Sequence, residues 1–179
     1  MPYYERNLPH WHPEGAALFL TWRLHGTCAH FTKNKTSSPG QNFLAFDRAL
    51  DNAVTGPKWL LQAEIARLVM EAIQFGARQL NLYNLHAFCI MPNHVHVVLI
   101  PQAPVPKITK SIKGFTARTC NQALGRVGEH FWHDESFDHW ARDSDELGRI
   151  IRYTERNPVT AGLVDSPEEW TWSSASHCV

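Results

Sequence analysis

The sequence has 179 residues, the length of one ordinary domain with a full hydrophobic core. Lysine and arginine together number 17, as do aspartate and glutamate, so the formal net charge is zero. This balance argues against indiscriminate binding of nucleic acid through overall positive charge, although it is compatible with a local basic surface. The apolar runs are all shorter than the roughly 18 residues needed to span a bilayer, and the N-terminus has no signal-peptide pattern.

The four cysteines are well separated in the sequence, and no two of them form a CxxC pair. Their spacing therefore indicates neither a zinc knuckle nor a disulfide framework. Cys89 lies within an apolar run, which is typical of a cysteine that packs in the core. We expect a cytoplasmic protein whose cysteines stay reduced.

The first half of the chain predicts a strand, a loop with a short helix, and a long helix. A strand is predicted at 16–24 because its side chains alternate between two faces. The stretch 30–42 is rich in Lys, Asn, Ser, Pro and Gly, which is typical of a mobile loop, and a short helix is predicted at 43–50. Pro57 suits a first helical turn, and apolar residues at helical spacing predict a helix over 58–80.

The second half predicts a β-hairpin, two helices and one further strand. Two apolar runs flank Met91-Pro92-Asn93, and a Pro-Asn link between such runs is typical of a hairpin turn. Asp143 and Glu146 form a capping-box pattern that begins the last helix, and Pro158 is expected to end it. The predicted strands are 83–91, 94–100 and 131–141, and the predicted helices are 107–124 and 144–156.

The resulting order is strand, helix, strand, strand, helix, strand, helix. This is the split βαβ order of a ferredoxin-like α+β fold, which has an antiparallel sheet with helices on one face, here followed by an extra C-terminal helix. We find no internal repeat. We expect a single domain over 1–179, in which 30–56 is a loop insertion.

His94 and His96 open the second strand of the predicted hairpin. Because alternate side chains of a strand share a face, both imidazoles project from the same side of the sheet. Two such imidazoles can hold one metal ion, or they can be ordinary sheet histidines bonded to backbone or solvent. A structural zinc site would require four ligands, often cysteines, so two strand histidines favour an open site with room for a substrate oxygen.

The last predicted helix carries Tyr153 and Asn157, which are four residues apart and therefore share a helix face. The Asn157 carbonyl oxygen is a ligand type that suits magnesium or manganese. A deprotonated Tyr153 would be a nucleophile, and a nearby metal would polarise a phosphate that it attacks. The alternative is that Tyr153 packs on the core and Asn157 caps the end of the helix.

The predicted helix at 107–124 lies in a stretch without acidic residues that runs from Pro101 to Gly128. Lys110 and Lys113 are three residues apart on one face of this helix, and Arg118 follows. Such a basic stripe can neutralise the phosphates of DNA or RNA. The alternative is a solvated helix face, which is the usual meaning of scattered lysines.

Several motifs occur in a fixed order along the chain. They are Met91-Pro92-Asn93-His94-Val95-His96-Val97-Val98, Lys113-Gly114-Phe115-Thr116-Ala117-Arg118, Phe131-Trp132, Phe137-Asp138, Tyr153-x-x-x-Asn157-Pro158-Val159-x-Ala161-Gly162-Leu163-Val164, and Trp172-Ser173-Ser174. Together they resemble the REP-associated tyrosine transposases, a group of the single-tyrosine HUH transposases. The resemblance extends over most of the chain, from about residue 16 to 175.

The resemblance implies a ferredoxin-like domain in which His94, His96 and Asn157 hold a divalent metal, Mg or Mn. Tyr153 would be the nucleophile. It would cut single-stranded DNA beside a hairpin, keep the 5′ phosphate as a phosphotyrosine, and release a 3′ hydroxyl. The expected partner is single-stranded or hairpin DNA, bound through Lys110, Lys113 and Arg118. The resemblance to the REP-associated group implies a monomer, and a dimer, as in related transposases, is the alternative.

Two other functions are compatible with the same residues. One is a protein that binds DNA hairpins without cleaving them, which the neutral charge and the basic helix favour. The other is a metal-dependent hydrolase unrelated to DNA, which would make the pairing of Tyr153 with Asn157 a coincidence. The distance from Tyr153 to His94 and His96 within one chain discriminates between DNA strand transfer and this hydrolase. Strand transfer requires Tyr153 close enough to share a substrate with the two histidines.

Overall fold

The computed structural model describes residues 3–5, 9–11, 15–27, 36, 39–53 and 55–177. Most of the predicted loop at 30–42 lies outside these residues. Near the N-terminus, two short strands, β1 (Tyr3–Glu5) and β2 (Pro9–Trp11), pair antiparallel. The main elements are then β3 (Leu18–Leu24), α1 (Pro39–Asp51), α2 (Ala63–Arg78), β4 (Tyr83–Ile90), β5 (His94–Pro101), α3 (Val105–Ala123), β6 (Trp132–Trp140) and α4 (Ser144–Thr160).

The central sheet has four strands in the order β4-β5-β3-β6, and every neighbouring pair is antiparallel. The β4–β5 hairpin therefore lies on one side of β3, and β6 lies on the other side. This is the strand order of a ferredoxin-like sheet, so the predicted fold class is confirmed.

One face of the sheet carries the main hydrophobic core. Leu20 and Trp22 of β3 and Val97 of β5 point to this face, where they pack against the buried stripes of α2 and α3. The stripes repeat every three or four residues, as in Ile108 and Ile112, because that spacing keeps side chains on one side of a helix. These two helices are the pair that a ferredoxin-like fold places on one face.

The opposite face of the sheet is covered by α1 and α4. Phe19 of β3 and Val98 of β5 point there, and they form a second, smaller cluster with Phe43 of α1. Ile151 and Tyr153 of α4 pack against the same cluster. The side chains of β5 that alternate with the main core, including both histidines, therefore lie between the sheet and these two helices.

Two predicted boundaries are wrong for local reasons. The helix predicted at 58–80 is divided, because Gln62 has an extended backbone that separates a short 3-10 turn at Trp59–Leu61 from α2. The helix α4 continues through Pro158 to Thr160 instead of stopping before it. A proline near a helix end removes one backbone donor only, and the carbonyl of Pro158 still accepts a bond from Leu163.

The predicted loop insertion at 30–56 is also wrong in part, because 39–51 form the helix α1. This helix is longer than the short one predicted at 43–50. Phe43 and Leu50 are buried and spaced to face the sheet, so tertiary packing stabilises a helix that begins within the stretch 30–42, whose composition is typical of a loop.

The C-terminal segment covers the exposed edge of β4. The backbone N–H of Ile90 donates to the carbonyl of Trp172, and Ser173 forms an isolated antiparallel β-bridge with Cys89. The Ser174 hydroxyl accepts from the N–H of Phe88 at 3.1 Å. Pairing an edge strand in this way removes an open row of donors and acceptors. Within the described ranges, no helix is long and apolar enough to cross a membrane.

Candidate active site

His94 and His96 face each other on one side of the sheet, as their alternation along β5 predicts. Their Nε2 atoms are 3.0 Å apart, and both side chains are fully buried. Each ring is oriented through its other nitrogen. The Nδ1 atom of His94 lies 2.7 Å from Oδ1 of Asn93, and Nδ1 of His96 lies 2.7 Å from the hydroxyl of Thr21. The two Nε2 atoms therefore converge on one point.

Asn93, which the sequence assigns only to a turn, determines which nitrogen of His94 faces the site. Its amide nitrogen donates to the carbonyl of Leu50 at 2.8 Å, so its Oδ1 is left to accept from His94. Burial and the neighbouring His96 lower the pKa of His94 to about 3, so its ring is neutral. A neutral ring that donates through Nδ1 carries its lone pair on Nε2, which is the state that binds a metal ion.

Asp47 is the main functional residue that the sequence did not reveal. It lies on α1 and is almost completely buried, with Oδ1 at 3.3 Å from Nε2 of His96 and 3.5 Å from Nε2 of His94. Burial by itself would raise the pKa of Asp47, but His96 outweighs this effect and holds the pKa well below its usual range. The site therefore contains a carboxylate that stays ionised.

Tyr153 and Asn157 reach the same carboxylate from α4. The Tyr153 hydroxyl donates to Oδ2 of Asp47, and the Asn157 amide nitrogen donates to the same oxygen at 2.9 Å. The Asn157 nitrogen also lies 3.1 Å from Nε2 of His96. The structure thus brings together His94, His96, Tyr153 and Asn157, and adds Asp47 at their centre.

The phenol of Tyr153 is kept protonated in this arrangement. Burial and the charge of Asp47 raise the pKa of Tyr153 well above its usual range, since both disfavour a phenolate. Its ring stands edge-on to Phe19 and Phe43, with centroids 6.2 and 6.1 Å away, and lies 6.3 Å from the ring of His96. Within one chain, the hydroxyl therefore contacts the carboxylate that borders the histidine pair.

Asp51 adds a second carboxylate one helical turn beyond Asp47. Its Oδ1 is 3.9 Å from Nε2 of His94, and its side chain is only 10% exposed. Burial and the nearby Asp47 charge raise the pKa of Asp51 to about 7. The oxygen that faces His94 has no hydrogen-bond partner among the described residues. Asp51 is thus positioned to respond to a positive charge in the site.

The donor set fits a divalent metal ion. Asp47, His94 and His96 each direct one ligand atom to a shared point, and these atoms lie within 4.8 Å of one another. Neighbouring ligands of an octahedral ion with bonds of about 2.1 Å are about 3.0 Å apart, close to the distances found here. Two buried oxygens, Oδ1 of Asp47 and Oδ1 of Asn157, have no hydrogen-bond partner in the described part of the chain, and a divalent cation at this point would satisfy both.

The amide of Asn157 presents its nitrogen, and not its oxygen, to the histidine pair. The predicted role as a metal ligand needs the oxygen. The two ends of an amide exchange by rotation about the Cβ–Cγ bond, and Oδ1 is the end without a partner among the described residues. In the arrangement observed, Asp47 occupies the position of an oxygen donor and Asn157 holds Asp47 in place.

The predicted DNA-binding residues do not join this site. Lys110, Lys113 and Arg118 lie on α3, which packs on the opposite face of the sheet. Lys113 donates to the carbonyls of His133 and Asp134, at 2.8 and 2.9 Å, near the start of β6. Lys110 and Arg118 are exposed, and the Arg118 guanidinium lies 5.8 Å from the ring centroid of Phe115.

The chain is similar to known proteins in sequence and in fold. The family model for IS200-like transposases matches residues 58–157, which include both histidines, Tyr153 and Asn157 but not Asp47. One solved structure, of a REP-associated tyrosine transposase bound to a REP hairpin, aligns with a TM-score of 0.60 at 17% identity, covering 97% of this chain and 82% of that chain.

A second solved structure, of a putative transposase from Deinococcus radiodurans, aligns with a TM-score of 0.46 at 19% identity, covering 86% of this chain and 96% of that chain. No curated protein sequence matches the chain.

Proposed function

Because the chain belongs to the IS200-like transposase family, we propose that it cleaves single-stranded DNA at hairpins and transfers the cut strand, with Tyr153 as the nucleophile. The observation that carries this proposal is the convergence of the Tyr153 hydroxyl and the His94–His96 pair on the carboxylate of Asp47. A nucleophile beside a metal-binding donor set is the arrangement that phosphoryl transfer requires.

In the proposed reaction, the phenolic oxygen of Tyr153 attacks a DNA phosphate. A bond forms between this oxygen and phosphorus, and the bond from phosphorus to the 3′ oxygen breaks. The phenol loses its proton, and the leaving oxygen gains one and becomes a 3′ hydroxyl. The phosphotyrosine conserves the bond energy, so attack by another 3′ hydroxyl rejoins the strand without a nucleotide cofactor.

His94, His96 and Asp47 are the proposed ligands of the divalent metal, Mg or Mn, and Asn157 is a further candidate. When bound, the ion would polarise the phosphate and stabilise charge on the leaving oxygen. The protein residues hold this position without large movement, because Thr21 and Asn93 already orient the two rings. The closeness of Tyr153 and His96 in one chain supports a site completed in cis, and hence a monomer.

The proposed DNA partner is a hairpin with a single-stranded flank. The fold relative named above has been solved bound to a REP hairpin, which supports this choice. Lys110, Lys113 and Arg118 remain our predicted phosphate contacts. Since α3 lies on the face opposite the site, these residues would contact the duplex stem and not the phosphate that is cut.

The proposal is tested with an end-labelled hairpin oligonucleotide incubated with Mn²⁺ and then separated on a denaturing gel. We expect a covalent protein–DNA adduct in the wild-type protein and none in Tyr153→Phe. Tyr83→Phe is the matched control, because Tyr83 is also a buried tyrosine with a hydrogen-bonded hydroxyl but packs on the other face. An adduct that persists in Tyr153→Phe would contradict the assignment of the nucleophile.

A protein that binds hairpins without cutting them is the second candidate. The buried, protonated phenol of Tyr153 favours it, because this state is not reactive until the hydroxyl is released from Asp47. Tight hairpin binding that needs no metal, together with no adduct under Mg²⁺ or Mn²⁺, would support this function over cleavage.

A further inference from the structure

We propose that Asp47 couples metal binding to the position of the nucleophile, acting as a metal ligand through Oδ1 and as the hydrogen-bond acceptor for Tyr153 through Oδ2. This inference rests on the proposed function, in which Tyr153 attacks the DNA. It assigns a role to a residue outside the segment that the family model matches.

The two oxygens of Asp47 have different surroundings. Oδ2 accepts from the Tyr153 hydroxyl and from the amide nitrogen of Asn157. Oδ1 accepts from no donor among the described residues, although it is buried and lies within 3.5 Å of both imidazole Nε2 atoms. A buried, ionised carboxylate oxygen beside two imidazoles is unfavourable without positive charge next to it, and a divalent cation between the three groups would supply that charge.

Asp47 has little freedom to leave this position. One turn before it on α1, Phe43 stacks on Phe137 of β6 with centroids 4.3 Å apart and meets Phe19 edge-on at 5.0 Å. One turn after it, the carbonyl of Leu50 accepts from the side chain of Asn93. The helix is thus fixed on both sides of Asp47. The carboxylate can therefore contact the Tyr153 hydroxyl and a metal ion at the same time without a backbone shift.

The consequence is a reciprocal effect between the metal and Tyr153. A hydrogen bond to the outer oxygen of a metal-binding carboxylate fixes its orientation, and loss of such a partner typically weakens metal binding by about 10–100-fold. By thermodynamic linkage, a metal that binds Oδ1 must also stabilise the position of the Tyr153 hydroxyl on Oδ2 by the same factor. A ligand set without Asp47 would show neither effect.

The experiment measures Mn²⁺ binding to the metal-free full-length protein by calorimetry, with no DNA present. We expect Asp47→Asn to weaken Mn²⁺ binding roughly 100-fold or more, and Tyr153→Phe to weaken it about 10-fold, as loss of an orienting partner does. Tyr83→Phe, the same chemical change on the other face of the sheet, is expected to leave the Kd within about twofold. Circular dichroism of each variant reports whether the fold is retained.

Tyr153→Phe keeps the size and packing of the ring, so it tests the coupling even if Asp47→Asn fails to fold. Unchanged Mn²⁺ affinity in Tyr153→Phe would overturn the coupling, as would wild-type affinity in Asp47→Asn or no Mn²⁺ binding by the wild-type protein. Because these titrations contain no DNA, the inference can fail while the adduct still forms. Equally, the adduct can be absent while the coupling holds, so the two failures are distinguishable.

Discussion

Thr21 and His96 are opposite each other on β3 and β5, and the Thr21 hydroxyl lies 2.7 Å from Nδ1 of His96. The contact is buried, so the ring of His96 has no water to replace this partner. A histidine that binds a metal through Nε2 is usually oriented by a partner on Nδ1. Thr21 therefore has the same function for His96 that Asn93 has for His94.

Thr21→Val is expected to weaken Mn²⁺ binding by about tenfold, because it keeps the shape of the side chain but removes the partner of Nδ1. Calorimetric titration measures the change. Thr27→Val is the matched control: the Thr27 hydroxyl is also buried but has no hydrogen-bond partner among the described residues. Equal Mn²⁺ affinity in Thr21→Val and the wild-type protein would mean that the hydroxyl does not orient His96.

Asp51→Asn is expected to stabilise the metal-free protein, and to do so clearly more at pH 8 than at pH 5. The pKa of Asp51 is raised from 3.8 to about 7, so the folded state binds a proton that the unfolded state has released. Between these values the unfolding free energy of the wild-type protein therefore falls as pH rises, by at most about 4 kcal/mol in total. Asparagine does not ionise, so the variant does not lose this stability as pH rises.

Urea denaturation in EDTA at both pH values measures this effect, with Asp165→Asn, an exposed aspartate, as the control. Added Mn²⁺ should reverse the advantage, because a cation in the site favours the ionised form of Asp51. A gain in stability of Asp51→Asn that is as large at pH 5 as at pH 8 would contradict the explanation.

Lys113→Ala is expected to lower the unfolding free energy by about 1–2 kcal/mol, because the carbonyls of His133 and Asp134 lose their donor. Lys110→Ala, on the exposed side of the same helix, should change it by less than about 0.5 kcal/mol. Chemical denaturation compares the two. If both variants lose the same stability, the carbonyl contacts of Lys113 contribute nothing.

Lys110→Ala instead tests the predicted phosphate contacts. If Lys110 contacts a phosphate of the hairpin, its removal should reduce the slope of log K against log salt by about 1. Arg118→Ala should act in the same way. Fluorescence anisotropy of a labelled hairpin at several salt concentrations measures the slope, and an unchanged slope in both variants would remove α3 from the DNA-binding surface.

Gly76→Ala is expected to destabilise the protein by about 1–3 kcal/mol, although alanine is the better helix former. A Cβ atom at this position of α2 would lie 2.5 Å from the hydroxyl of Tyr83 and 3.0 Å from its Cζ atom. Thermal melts of Gly76→Ala, Tyr83→Phe and the double variant test the clash. Since phenylalanine lacks the nearest atom, the double variant should lose less stability than the sum of the single changes.

Local rules account for the parts of the site that the sequence predicted. His94 and His96 share a face because a strand repeats every two residues, and Tyr153 and Asn157 share one because a helix nearly repeats every four. Their meeting follows from the confirmed strand order, since β5 lies in the interior of the sheet and α4 covers the face to which the histidines point.

Asp47 was missed because it lies in the short helix predicted at 43–50, where a single acidic residue has the pattern of an ordinary solvated charge. Its position carries a usable signal nonetheless: Phe43, Asp47 and Leu50 follow helical spacing, and all three are buried. An acidic residue within the apolar stripe of a helix must have a charged or hydrogen-bonding partner. That partner is 47 to 110 residues away in the chain, so no local pattern identifies it.

The contributions to this site come from β3, α1, β5 and α4, which are spread along nearly the whole described chain. During synthesis, the segment that carries Thr21, Asp47 and the two histidines emerges well before the one that carries Tyr153. Domains generally fold as units once their sequence is available. A ribosome-bound chain that has not yet released α4 would therefore hold the proposed metal ligands of β5 and α1 but not the proposed nucleophile, so the proposed cleavage could begin only after α4 has emerged and packed on the sheet.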